Sequence, residues 1–302
     1  MPQIETRPAR PEDRDIVLAF CAHTWEDGDY IEEVWDEWLN NPAGQLVVVT
    51  VDDRPAGILH MEMLTPTDAW LEGLRVDPTY RRQGLARRMN EAALLEAMRR
   101  GAQYIRMAIS HENQRSLELA EAGGFRKVAG FLPFSTVPAL DKLQKISAKD
   151  RPRPATIEDL DDIISFLNAS NVFPIMAGLY FHRFRAIPIT AVFLEEKIKE
   201  QQIYLTRRWE KLDGLAIFDV CPPNNYYGTH ISLGYIDGTS IEPVSLLAYE
   251  LLHHAITQEM DRVRVYLPDQ VFMRDAFSGV GYTGASFEEN DNLFFVYEKG
   301  LF

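Results

Sequence analysis

A short stretch occurs twice in this chain, and a chain that repeats its elements in order is held to folding as copies of one unit. Arg7-Pro8-Ala9-Arg10-Pro11-Glu12-Asp13-Arg14-Asp15 returns as Arg153-Pro154-Ala155-Thr156-Ile157-Glu158-Asp159-Leu160-Asp161. Arg, Pro, Ala, Glu, Asp and the final Asp coincide at a constant offset. An apolar helical pattern follows at once in each copy: Ile16, Val17 and Phe20, then Ile163, Ile164 and Leu167. The Glu-Asp pair falls where a helix start favours acids. With 302 residues, the length suits two domains of roughly 150 residues each.

The later elements repeat as well. In the first half, strands are expected at 4–7, 46–51, 56–64, 70–76, 104–109 and 125–131, and helices at 13–25, 31–39, from the loop at 81–86 to Gly101, and at 113–122. In the second half, helices are expected at 157–168, 189–201, 243–257 and 270–277, and strands at 203–206, 214–220, 230–236, 263–267 and 293–297. Residues 133–153 read as a last strand followed by a charged connector. The division is 1–140, a linker at 141–152, and 153–302, in an α/β class with a mixed sheet.

Composition narrows the function. Acidic side chains number 45 against 31 basic ones, a net charge of −14. Nucleic-acid binding needs phosphate-neutralising Lys and Arg, so no nucleic-acid partner is expected. No run reaches the ~18 apolar residues of a membrane helix. The first thirty residues are charged, with Arg7, Arg10, Glu12, Asp13 and Arg14 among them, so no secretory leader is read there. Cys21 and Cys221 are far apart and match no metal spacing. A cytoplasmic protein without a metal, monomeric or homodimeric, is the expectation.

The segment from Leu74 to Arg88 carries the strongest chemical signal. A strand ends at Val76, Asp77-Pro78 stops it, and Arg81-Arg82-Gln83-Gly84-Leu85-Ala86-Arg87 opens a long helix. A helix start offers unpaired N–H groups and a positive dipole end to phosphate. Gly84 lets backbone approach a ligand closely. Arg81, Arg82, Arg87 and Arg88 gather there in an otherwise acidic chain.

Here the sequence resembles the GNAT family of acetyl-coenzyme A-dependent N-acetyltransferases. The matching residues are Arg81-x-x-Gly84-x-Ala86 after Val76-Asp77-Pro78, and Asn113-x-x-Ser116-x-x-Leu119 before Gly124-Phe125. The resemblance implies two tandem acyl-CoA N-acyltransferase domains, with acetyl-CoA as cosubstrate. It implies that Leu74, Arg75 and Val76 line the pantetheine arm. It places the pyrophosphate on Arg81, Arg82, Gln83, Gly84, Leu85, Ala86 and Arg87, with Asn113 near the cofactor. Val76 N–H would receive the developing oxyanion. Transfer in the family is direct, from thioester to amine.

Glu72 is the candidate general base, and an ordinary edge carboxylate is the equal alternative. Strand alternation would put Glu72, Leu74 and Val76 on one face. The family often has a Tyr as thiolate acid where this chain has Ala120. Ser116, Ser110 and His111 are the replacements considered, with Ser116 taken as catalytic.

Between the first two helices lies an acidic, aromatic stretch containing Trp25, Glu26, Asp27, Asp29 and Tyr30. It reads either as a site for a cationic small-molecule amine or as the solvated start of an amphipathic helix. At the place of the phosphate loop the second half has Gly238-Thr239-Ser240-Ile241-Glu242-Pro243-Val244-Ser245. It lacks the arginine-glycine pattern and reads as a degenerate copy. The aromatic-rich stretch 172–189 reads as core or interface. The leading reading is an N-acetyltransferase; a coenzyme A-binding sensor and a protein N-terminal or lysine acetyltransferase are the alternatives.

Overall fold

The computed structural model describes all residues except 1, 23, 25–27, 143–146, 148–150, 224–226 and 285–292. The chain packs as two units, 1–109 with 113–127 and 296–302, and 110–112 with 128–295. These units are not the contiguous halves expected from the sequence. Residues 128–140 pack in the second unit, and the chain's C-terminus belongs to the first.

The first unit runs β1 (Ile4–Pro8), α1 (Arg14–Cys21), α2 (Ile31–Asn40), β2 (Gly44–Val51), β3 (Arg54–Met63), β4 (Asp68–Val76), α3 (Leu85–Arg99), β5 (Tyr104–Ser110) and α4 (Gln114–Ala122). The sheet order is β1-β2-β3-β4-β5, then the C-terminal strand Phe294–Gly300. β1 to β4 are antiparallel, and β4 and β5 are parallel. Val17, Cys21, Ile31, Trp35 and Trp38 of α1 and α2 form a cluster with Leu46, Val48 and Ile58. α3 packs on β2 and β3 and buries Met89, Ala93 and Ala97. β2 is buried along almost its whole length, which explains its unbroken apolar run.

From the sequence, the last strand of this unit is expected within 133–153. Instead the preceding strand runs on to Thr136, and the C-terminal strand completes the sheet. Buried charges tie it in: Arg106 bonds Asp68 at 2.5 Å and Glu298 at 2.9 Å. Tyr297 donates to Glu121 at 2.9 Å, and Lys299 to the Gly123 carbonyl at 2.7 Å.

The second unit holds β6 (Arg126–Thr136), β7 (Arg153–Pro154), α5 (Leu160–Ala169), α6 (Val172–Ile175), β8 (Leu179–His182), β9 (Arg185–Pro188), α7 (Ala191–Lys199), β10 (Ile203–Arg208), β11 (Lys211–Cys221), β12 (His230–Gly238), α8 (Ile241–Thr257), β13 (Arg262–Pro268) and α9 (Val271–Gly279). The sheet order is β6-β13-β12-β11-β10-β7, the β12–β13 pair parallel and the other pairs along this order antiparallel. The stretch 172–189 is a short helix and a hairpin whose Tyr180 and Phe181 are buried. Its turn, Arg183-Phe184, has φ of +49° and +64° at both residues, a hairpin turn usually announced by Asn-Gly.

The repeated motif has a structural cause. Arg7 clasps Asp13 with two bonds of 2.7 and 2.8 Å, and Asp13 also accepts the Arg10 amide. Arg153 clasps Asp159 at 2.8 and 2.6 Å, and Asp159 accepts the Thr156 amide. The Arg153 guanidinium holds the Asp159 carboxyl well below its ordinary range, against burial. The acids serve as a clasp between strand and helix, beyond favouring a helix start. Among the described residues, no helix is long and apolar enough to cross a membrane.

Candidate acyl-transfer site

β4 pairs with β5 only through Asp68–Tyr104, Ala69–Ile105 and Trp70–Arg106. Beyond Trp70 the two parallel strands part. Residues 71–76 then have no ladder partner on that side among the described residues. Such an edge can pair with an extended, amide-bearing molecule. The Asp77 amide bonds the Ala56 carbonyl at 2.9 Å. By strand alternation the Val76 amide points the other way, to the open edge.

The paired edge of β4 carries a bulge. Ile58 faces Arg75 and His60 faces Glu72, so Gly73 and Leu74 oppose Leu59 alone. Gly73 sits at φ +70°, and a Cβ there would overlap the Trp38 ring. The bulge resets the alternation. Cross-strand partners share a face, so Glu72 shares its face with Arg75, His60 and Ile58 rather than with Leu74 and Val76. Gly73→Ala is expected to lower stability by about 2–4 kcal/mol, combining a left-handed backbone with overpacking. Urea unfolding would measure it, and a loss below about 1 kcal/mol would show that Trp38 yields freely.

Glu72 is held by a buried histidine. His60 Nδ1 lies 3.0 Å from Glu72 Oε1, and the His60 ring is 0% exposed and stacks on Trp38 at 4.5 Å. His60 Nε2 is buried without a hydrogen-bond partner. Glu62 stands two residues along β3, and donor atoms of His60, Glu62 and Glu72 lie within 4.8 Å of one another. No metal is expected from the sequence, yet this is a donor set of the kind that holds a divalent cation. The cluster could have been found from β3 and β4 read as a hairpin, which sets His60 opposite Glu72.

Of the expected acceptor residues, Trp25, Glu26 and Asp27 lie outside the described residues. Asp29 is already paired, accepting from Arg75 Nε at 2.6 Å and from Arg75 Nη2 at 3.1 Å. Arg75 also covers the Tyr30 ring at 5.4 Å, and Tyr30 meets Trp38 edge-on at 6.0 Å. The Arg75 side chain thus ties the loop before α2 to β4. Cys21 lies near this pair, and burial pushes its thiol up to about 12, with Asp29 adding to the shift.

After β4, Asp77 Oδ1 accepts from the Thr79 amide at 2.9 Å and its hydroxyl at 2.7 Å, which closes the turn. Arg82 (φ +64°) and Gly84 (φ +76°) both take the left-handed conformation. Gly84 is the N-cap of α3, and no side chain caps that helix start. The position a Gly84 Cβ would take is open space. Arg81, Arg82 and Gln83 are exposed, Leu85 is buried and Ala86 half-buried. Arg87 is tied to Glu91 at 2.9 Å.

Asn113 caps α4, its Oδ1 accepting from the Ser116 amide at 3.2 Å. Ala120 is buried. Ser110 and His111 pack with the second unit, where the His111 amide bonds the Leu293 carbonyl at 2.9 Å.

The second unit has its own parting strands. β12 and β13 pair from His230–Arg262 to Leu233–Val265 and then separate, and Gly234 bulges between Tyr235 and Leu233. Its helix α8 differs at the start, with Glu242 in the first turn and Pro243 buried.

Residues 13–125 match the acetyltransferase (GNAT) family model. By structure, the chain is similar to a GCN5-related N-acetyltransferase from Sphaerobacter thermophilus, with TM-score 0.61 and 14% identity over 99% of this chain and 96% of that one. It is also similar to a tandem GNAT protein from the clavulanic acid biosynthesis pathway, with TM-score 0.55 and 13% identity over 99% of each chain. At these identities the likeness is one of fold. No curated protein sequence matches the chain.

Proposed function

We propose that this chain is an acyltransferase, since residues 13–125 match the GNAT family model, and that it moves an acetyl group from acetyl-CoA to a primary amine of a small cationic acceptor. One observation carries the reading: the open edge of β4 runs straight into an uncapped, arginine-flanked helix start. Acetyl-CoA supplies the activated acyl group as a thioester. The amides from Arg82 to Arg87, with Arg81 and Arg82, hold the pyrophosphate. Leu74 and Val76 pair with the pantetheine amides.

The amine attacks the thioester carbonyl directly. A C–N bond forms, the C–S bond breaks, and the thiolate leaves. The Val76 N–H stabilises the oxyanion. Glu72 takes the amine's proton, directly or through one water, and His60 fixes the direction of its carboxylate. With Ala120 in place of an acid, proton return to the thiolate falls to Ser116 or water. Glu62 and Glu72 supply the negative charge that favours a cationic acceptor, a task Asp29 cannot do while paired with Arg75. The second unit, with Glu242 and Pro243 at its helix start, is read as binding no acyl-CoA.

An amine panel with acetyl-CoA, followed by release of free thiol, tests the activity; no turnover with any cationic amine would count against it. Cys21 is buried with its thiol near 12, so no acyl-enzyme is expected to form. Protein incubated with acetyl-CoA alone should keep its intact mass, and initial rates should follow a sequential pattern. Parallel double-reciprocal lines would overturn direct transfer.

A further inference from the structure

The second unit has an open cavity of about 650 Å³ at the C-terminal end of β12, walled by α5, the β10–β11 turn and the start of α9. Asp237, the next-to-last residue of β12, is in its wall and is only 2% exposed. Its Oδ2 accepts from the Tyr235 hydroxyl at 2.8 Å and from the Ser170 hydroxyl. Both are neutral donors, and an ionised carboxylate offers about four acceptor sites. Among the described residues no Lys, Arg or His pairs with Asp237. Burial pushes its carboxyl up, against its hydrogen bonds.

The other charges of the wall do not supply the missing cation. Arg207 is committed to Asp159 and Asp162, at 2.8 and 2.7 Å. Glu210 and Lys211, of opposite sign, are neighbours at the β10–β11 turn. Phe166, Val172 and Phe272 add apolar surface to the same cavity. A buried carboxylate without a cation is costly, and a concave, partly apolar wall with one such group is the make-up of a small-molecule site.

We propose that this cavity binds a small molecule bearing a primary ammonium on an aromatic or aliphatic body. The ammonium seats on Asp237, and the body lies against Phe166, Val172 and Phe272. The site lies within the second unit and takes no part in the acyl transfer proposed for the first.

Titration calorimetry on the full chain tests it, with tyramine as probe and 4-ethylphenol as its neutral counterpart. Four proteins are compared: wild type, Asp237→Asn, Thr239→Trp, and Glu72→Gln. Thr239 is an exposed residue of the cavity rim, so its Trp variant fills the space while keeping Asp237. Tyramine should bind wild type and Glu72→Gln alike, and weaken about tenfold or more in Asp237→Asn, as loss of a charge-assisted bond requires. Thr239→Trp should abolish binding, and 4-ethylphenol should bind wild type at least about tenfold more weakly than tyramine. If Asp237→Asn does not fold, Thr239→Trp decides alone. Absence of tyramine binding at millimolar concentration, equal affinity for the two probes, or a loss confined to Glu72→Gln would each overturn the proposal. None of these readouts depends on acetyl transfer.

Discussion

Gly84→Trp is expected to abolish acetyl-CoA binding and leave the fold standing. Gly84 sits at φ +76°, where a side chain costs about 1–2 kcal/mol. Apart from its own chain neighbours, no atom lies within 4 Å of where its Cβ would be, so the indole meets no packed side chain at its root. Gly84 is itself the N-cap of α3, so the indole stands beside the uncapped amides assigned to the pyrophosphate. Affinity should fall at least about a hundredfold, or ~2.7 kcal/mol, while the melting temperature drops by only a few degrees. Calorimetric titration of wild type should give one site per chain. Two sites would overturn the reading of the second unit as empty of acyl-CoA. Undiminished binding by Gly84→Trp would place the cofactor elsewhere.

The sequence exposed some features because their cause is local. The phosphate loop is a run of adjacent residues, and Arg81, Gly84 and Ala86 keep their places whatever the rest of the chain does. The repeat was visible for the same reason: each Arg–Asp clasp closes within seven residues, from Arg7 to Asp13 and from Arg153 to Asp159. Features set by distant partners stayed hidden. The C-terminal strand joins the first unit through Arg106 and Glu298, residues that no local pattern relates. The bulge at Gly73 is set by Trp38 lying on β4, so simple alternation put Glu72 on the wrong face relative to Val76. Asp29 looked like an anionic lure because its partner, Arg75, is remote in sequence. His60 carried no motif, and its importance emerges only once β3 and β4 are paired.

That pairing makes Glu72→Gln the sharpest test of the chemistry. The amide keeps the size and can still meet His60 Nδ1, but it cannot take a proton. kcat/KM for the amine should fall about 10²-fold to 10⁴-fold, the usual worth of a positioned base, with acetyl-CoA affinity unchanged. A protein that only senses coenzyme A would keep its affinity and have no rate to lose, so the two readings separate in one experiment. The cluster of His60, Glu62 and Glu72 offers the carboxylate a rival use, as a metal ligand. Exhaustive treatment with EDTA distinguishes them: a base oriented by His60 alone keeps its rate, whereas a metal-held Glu72 loses it and regains it on adding a divalent cation. We expect the rate to survive chelation. The Trp38 stack and the 3.0 Å contact to Glu72 already orient the imidazole, so the carboxylate has its support without a metal. A Glu72→Gln enzyme with wild-type turnover would return Glu72 to the role of an ordinary edge carboxylate, and leave proton removal to bulk water.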